Sequence, residues 1–155
     1  MTDAPAAAPR PNRRMLILGG CGLLAVGAAG VGFARRDRFE GAEMTPPEVL
    51  AAVQAGEVML IDIRRPDEWT GTGIAEGAQP LDMRRDDFAE ALAVLTGGDL
   101  DRPVALICAR GVRSDRTSAR LADAGFTRII DVPEGMLGSA AGPGWLERGL
   151  PVVQP

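Results

Sequence analysis

The chain has 155 residues, 17 basic and 21 acidic side chains and a formal net charge of -4, which suits one domain of about 100–150 residues with something added. It contains no His, no Lys and no Tyr, so every basic residue is Arg; this excludes Ser-His-Asp and Cys-His nucleophile activation, His-based zinc sites, Lys-dependent phosphate loops and Schiff-base chemistry. Two cysteines are too few for a zinc site, aromatics at 4% are too sparse to stack single-stranded nucleic acid, and the acidic balance repels phosphate backbones, so neither a metal nor a nucleic acid is an expected partner.

Charge divides the chain. Residues 1–38 hold Arg10, Arg13, Arg14, Arg35, Arg36 and Arg38 against Asp3 and Asp37, a net of +4, which leaves -8 on the rest. A polar, Arg-containing leader (1–14) precedes an uncharged apolar segment (15–34). At about 1.5 Å per residue that segment is long enough to cross a hydrocarbon core of about 30 Å, though its glycines and alanines dilute it. Leader, Arg13-Arg14-Met15-Leu16 and the diluted apolar run resemble a twin-arginine export signal. Export or membrane anchoring through 15–34, with the rest of the chain on the periplasmic side of the inner membrane, is the expectation. Arg35-Arg36 resembles a stop for a retained anchor, and Cys21 reads as an inert thiol in an apolar helix.

A charged linker (35–43) leads to a domain over 44–155 in which helix and strand signals alternate. Thr45-Pro46-Pro47-Glu48 forms a capping box with proline in the first turn, opening a helix that closes at Gly56. Residues 58–63 form the first apolar run. A helix over 86–95 ends at Gly97-Gly98, and 104–108 is short and apolar enough for a strand buried on both faces. A helix over 114–124, a strand over 128–132 and a short helix near Trp145 complete the order. Strands alternating with helices predict the α/β class: a mostly parallel sheet covered on both faces and joined by right-handed crossovers.

In such sheets reactive groups gather beyond the carboxyl ends of the strands. Cys108 stands there, and the loop Ala109-Arg110-Gly111-Val112-Arg113 turns at once into a helix with Ser114 as its expected cap. Converging backbone N–H groups at a helix start, flanked by Arg110 and Arg113, favour an anion and therefore a thiolate. Arg110 is expected to face the opening, and Arg113 to form an ion pair with Glu68 or Asp62. Asp62, at a strand end, is expected to hold loop N–H groups. Trp145 reads as packing.

The segment Cys108-Ala109-Arg110-Gly111-Val112-Arg113-Ser114 resembles the active loop of the rhodanese family, Cys-x-x-Gly-x-Arg-Ser. Leu60-Ile61-Asp62-Ile63-Arg64 with Glu68-Trp69 is similar to that family's first strand and acidic-aromatic pair. Glu134-Gly135-Met136, Trp145 and Gly149-Leu150-Pro151-Val152 are similar to its closing segment. The family's Gly-His-Ile-Pro-Gly-Ala stretch is replaced by Gly73-Ile74-Ala75-Glu76-Gly77-Ala78, without histidine. The resemblance implies a rhodanese-like fold and a sulfurtransferase in which Cys108 takes sulfane sulfur from a small anionic donor such as thiosulfate. A persulfide forms and passes its sulfur to cyanide or a thiol, with no metal or organic cofactor. Related phosphatases and arsenate reductases place five residues between Cys and Arg, whereas four separate Cys108 from Arg113. That class, and a non-catalytic binding or sulfur-carrier module, remain the alternatives.

Overall fold

The computed structural model describes residues 39–155. The leader, the apolar segment and residues 35–38 of the linker lie outside the described residues, and with them the export and anchoring expectations. Among the described residues no helix is long and apolar enough to cross a membrane.

The elements follow in the order β1 (Ala42–Glu43), α1 (Pro46–Gln54), β2 (Met59–Asp62), α2 (Pro66–Thr72), β3 (Ile74–Ala75), β4 (Ala78–Pro80), α3 (Phe88–Leu95), β5 (Val104–Ile107), α4 (Val112–Asp123), β6 (Ile129–Asp131), α5 (Gly144–Glu147) and β7 (Val152–Val153). A parallel sheet is ordered β1-β6-β5-β2-β4, with β3 and β7 paired antiparallel beside it. β5 is therefore the middle strand, and all four of its residues are buried. This is the α/β architecture expected of the sequence.

Side chains alternate across the sheet. Val104, Leu106 and Cys108 pack on one face with Leu92 of α3 and Leu121 of α4. Ala105 and Ile107 pack on the other with Val49 of α1 and Trp145 of α5. A strand covered on both faces has no polar positions to show, which is why β5 reads as an unbroken apolar run.

The capping box at α1 forms: Glu48 accepts from Thr45 N at 2.8 Å and from Thr45 Oγ1 at 2.7 Å. Three boundaries differ from expectation. β1 and Phe39, whose N–H donates to Asp115 Oδ1 at 3.1 Å, belong to the fold upstream of Met44, and a two-residue strand carries no readable periodicity. α3 starts at Phe88, because Asp86 and Asp87 occupy the turn before it. α4 starts at Val112 with Gly111 as its cap, so Ser114 stands inside the first turn rather than ahead of it.

Candidate active site

The residue that sets the α4 boundary also shapes the site. Gly111 has φ 80, a left-handed conformation, and a Cβ placed on it would lie 2.2 Å from Pro133 O. Only glycine lets the chain pass from β5 into α4 in so few residues while touching the loop after β6. The contact is reciprocal: Gly135, at φ 66, has no room for a Cβ, which would come within 2.6 Å of Ala109 O. The two loops interlock at backbone distance.

Cys108 follows β5 directly and is 1% exposed. Its carbonyl accepts Met136 N at 2.8 Å, and the next carbonyl, of Ala109, accepts Leu137 N at 2.8 Å. Peptide planarity then directs the N–H groups of Ala109 and Arg110 away from residues 136 and 137. The first N–H of the turn to reach a backbone oxygen is that of Asp115, bonded to Gly111 O at 3.0 Å. The N–H groups of residues 109–114 are thus left without a backbone acceptor among the described residues. A helix start always leaves its first donors unmade; here the preceding loop adds more beside a buried sulfur. The arrangement is an anion cradle built of backbone, and it suits a thiolate or a small oxyanion.

Arg113 lies against the cradle. Its Nη1 and Nη2 donate to Glu68 Oε2 and Oε1 at 2.7 and 2.6 Å, a two-pronged pair from α4 to α2. Those hydrogen bonds, opposed in part by burial and helped by Arg65 N–H and the nearby guanidinium charges, hold the Glu68 carboxyl down at about 2. Glu68 in turn raises the Arg113 guanidinium, burial opposes it, and the nearby Cys108 sulfur adds to the rise. Of the two acids considered for Arg113, Glu68 is the partner, and the pair places a fixed cation beside Cys108.

Asp62 meets its expected task in part, by accepting one N–H of the turn that follows it. Its carboxylate is occupied by Arg64, whose Nε donates to Oδ1 and Oδ2 at 2.9 and 3.0 Å and whose Nη2 donates to Oδ2 at 2.7 Å; both side chains are buried. It supports the turn after β2 through Arg64 N at 3.1 Å and holds no N–H of the Cys108 loop. Arg64 then donates to Gly73 O at 2.7 Å and Thr72 Oγ1 at 2.8 Å, tying the C-terminal end of α2 to the end of β2. The sequence signal was an Asp-x-Arg spacing at a strand end, which places both side chains on one side of the turn.

Arg110 is exposed, yet its Nη1 donates to Gly138 O at 3.1 Å and reaches Leu137 O at 3.5 Å, so it spans from the cradle to the loop after β6. Val112, 60% exposed, and Leu137, 41% exposed, border the same loop. Ser114 is buried and its Oγ donates back to Gly111 O at 2.9 Å, bracing the turn from inside. Trp145 is fully buried, with Nε1 donating to Pro151 O at 2.9 Å, as a packing residue should be. One brace was missed in the sequence. Glu134 is buried, accepts Gly144 N at 2.9 Å and pairs with Arg148 at 2.7 and 2.8 Å, fastening the segment that holds Cys108 O. Among the described residues no cluster of side chains is arranged to hold a metal ion.

The family model described as rhodanese-like domain matches residues 45–140. The chain belongs to that family. A sulfurtransferase of Allochromatium vinosum is 30% identical over 101 residues, covering 64% of this chain and 81% of its own. A probable adenylyltransferase/sulfurtransferase of Mycobacterium tuberculosis is 32% identical over 118 residues, 76% of this chain and 27% of its own, so the present chain spans about a quarter of that relative. Among solved structures, the polysulfide-sulfur transferase homodimer of Wolinella succinogenes is similar at a TM-score of 0.58 and 27% identity, over 83% of this chain and 88% of that one. For this rhodanese-like domain the matched segment contains the whole Cys108 loop, the Glu68–Arg113 pair and the start of the loop after β6.

Proposed function

We propose that this rhodanese-like protein is a sulfurtransferase that carries sulfane sulfur on Cys108, with thiosulfate or a related anion as donor and cyanide or a thiol as acceptor. The observation that carries the reading is that, among the described residues, the N–H groups of 109–114 have no backbone acceptor in the loop that follows a buried sulfur with Arg113 beside it. The Cys108 thiolate attacks the outer sulfur of thiosulfate. The S–S bond of the donor breaks, sulfite leaves with the bonding pair, and the transferred sulfur remains as a Cys108 persulfide whose negative charge rests in the cradle. An acceptor nucleophile then attacks the outer sulfur, and the Cys108 thiolate is restored. No proton transfer to a side chain is needed at either step, which suits a site without histidine.

Four residues separate Cys108 from Arg113, and the reading favours sulfur over a tetrahedral phosphate or arsenate centre, for which related loops are longer by one. Val112 and Leu137 beside the loop favour an acceptor thiol presented on an apolar surface, and with it a sulfur-carrier role, over cyanide. The test is turnover of the full chain with thiosulfate and either cyanide or a dithiol, against a phosphate ester and arsenate. Sulfur transfer that vanishes in Cys108→Ser supports the proposal. Phosphate ester or arsenate turnover without sulfur transfer moves the chain to the phosphatase and reductase class, and partner capture that persists in Cys108→Ser without any sulfur gain makes it a binding module.

For location we propose that the domain (44–155) acts on the periplasmic side of the inner membrane, anchored or released through 15–34; support comes from the amino-acid sequence alone. A reporter active only after export, fused behind Pro155, should be active. An inactive reporter alongside an active cytoplasmic one reverses the proposal.

A further inference from the structure

The loop after β6 meets the Cys108 loop along a strip of backbone, residues 135–137, that is bonded on both of its edges. On one edge Met136 N and Leu137 N donate to the carbonyls of Cys108 and Ala109, each at 2.8 Å. On the other, Gly135 O and Met136 O accept Trp145 N and Leu146 N of α5 at 3.0 and 3.1 Å. α5 is only four residues long, too short to hold its place by its own hydrogen bonds. One side chain spans it. Glu134, the only charged residue from Val132 to Leu146, is 1% exposed; it accepts Gly144 N at 2.9 Å at the start of α5, and Arg148 Nε and Nη2 at 2.8 and 2.7 Å at its end. The loop between is fitted to that carboxylate: a Cβ on Gly142 would lie 2.5 Å from Glu134 Cδ.

A trans peptide plane carries its C=O and N–H on opposite sides. With the carbonyls of Cys108 and Ala109 drawn to residues 136 and 137, the N–H groups of Ala109 and Arg110 stay turned the other way, into the cradle. If the strip draws back, those carbonyls are released, and a carbonyl turned towards the sulfur repels the charge that an N–H attracts. Every hydrogen bond of the Glu134 carboxylate goes to Gly144 or Arg148 and none to the Cys108 loop, so its influence on the sulfur passes through the strip. We propose that Glu134 is a positioning residue for the anion cradle, acting through residues 135–137 to keep the Cys108 and Ala109 carbonyls turned away from the sulfur. The sign of its effect separates positioning from simple electrostatics. Removing a negative charge from the neighbourhood favours a thiolate, whereas releasing the strip disfavours it.

The kinetic arm of this inference rests on the sulfurtransferase reading; its alkylation arm does not. In the full chain, alkylation of Cys108 by iodoacetamide, followed by the mass of the peptide that carries it, should rise with pH to a plateau as the thiolate forms. Glu134→Gln keeps the size of the side chain but sets an amide NH2 against donors. Its midpoint should lie above that of the wild type, with alkylation about three- to ten-fold slower below the midpoint and equal at the plateau. Arg148→Lys keeps both charges and loses the fork, so it should move the midpoint the same way, slowing alkylation about two- to three-fold; it decides the matter alone if Glu134→Gln does not fold. Ala91→Gly, in α3 on the opposite face of the sheet from α5, weakens the fold elsewhere and should leave the midpoint in place. With thiosulfate as donor, kcat/KM of Glu134→Gln should fall by the same factor at low pH and recover at high pH. A midpoint that is unchanged or lowered in Glu134→Gln, or unchanged in Arg148→Lys, overturns the proposal, as does an equal rise in Ala91→Gly or a loss confined to the plateau rate. If thiosulfate is not turned over but the midpoints move as stated, the positioning role stands and only the sulfurtransferase reading fails.

Discussion

Two strand ends lie side by side in this sheet, and they solve the same problem in opposite ways. β2 and β5 are both four residues long, pair in register with Asp62 opposite Ile107, and both run into a helix. After β2 the buried charges are answered: Asp62 by Arg64, and Arg64 by Asp62, Thr72 and Gly73. After β5 the chain spends a glycine with φ 80 on a turn that, among the described residues, leaves a row of N–H donors without a backbone acceptor next to a buried thiol. Satisfied polar groups fix geometry, and unsatisfied ones await a ligand. The first end is scaffold for α2 and so for Glu68; the second is the chemistry.

Breaking the scaffold end should cost the most stability. Arg64→Ala leaves Asp62 buried without its counter-ion and should destabilise the protein by about 3–5 kcal/mol in denaturant unfolding, with the remaining folded protein still forming a persulfide. Loss of sulfur transfer at unchanged stability would mean that the two ends are not separable.

Gly111→Ala attacks the chemical end through its backbone. The left-handed conformation and the 2.2 Å approach to Pro133 O together should cost about 2–4 kcal/mol and suppress transfer beyond detection. Normal activity in this variant would show that the turn has slack the geometry denies.

Glu68 joins the ends, and its effect should be intermediate. Glu68→Gln removes the charge that fixes Arg113, for about 1–2 kcal/mol at neutral pH once solvent screening at this part-exposed pair is allowed for. The carboxyl is lowered in the fold to about 2 from an ordinary 4.5, so its contribution is complete above about pH 4.5 and disappears as pH falls through about 2. Stability curves of wild type and variant should therefore converge on acidification. Parallel curves would remove the ion pair from the account.

Arg110→Ala should have the smallest effect, raising the thiosulfate KM about two- to five-fold with kcat little changed, and less so at about 0.15 M than at 0.01 M ionic strength. A salt-independent fall in kcat would put Arg110 against the transferring sulfur.

Much of this contrast is legible in the sequence because its signals are local. The capping box at Thr45, the apolar run of β5 and the loop from Cys108 to Ser114 each depend on residues close together in the chain, and the alternation of elements gives the sheet. What stays hidden depends on contacts across the fold. Gly111 marks a turn, but that it replaces Ser114 as the cap of α4 goes with Pro133, whose carbonyl closes over it from the loop after β6. Asp62 could be placed at a strand end but not assigned its partner, since Arg64 competes from two residues away and wins by carrying its fork into the same buried turn.

The central claim is that the unanswered N–H groups after β5 hold a sulfur anion on Cys108. Intact mass of the folded full chain after thiosulfate, before and after removal of excess donor, tests it most directly. The account predicts one added sulfur atom, located on Cys108, released by cyanide or a dithiol and absent from Cys108→Ser. A folded wild-type protein that gains no sulfur from thiosulfate or any other sulfane donor, or that gains it equally in Cys108→Ser, contradicts it.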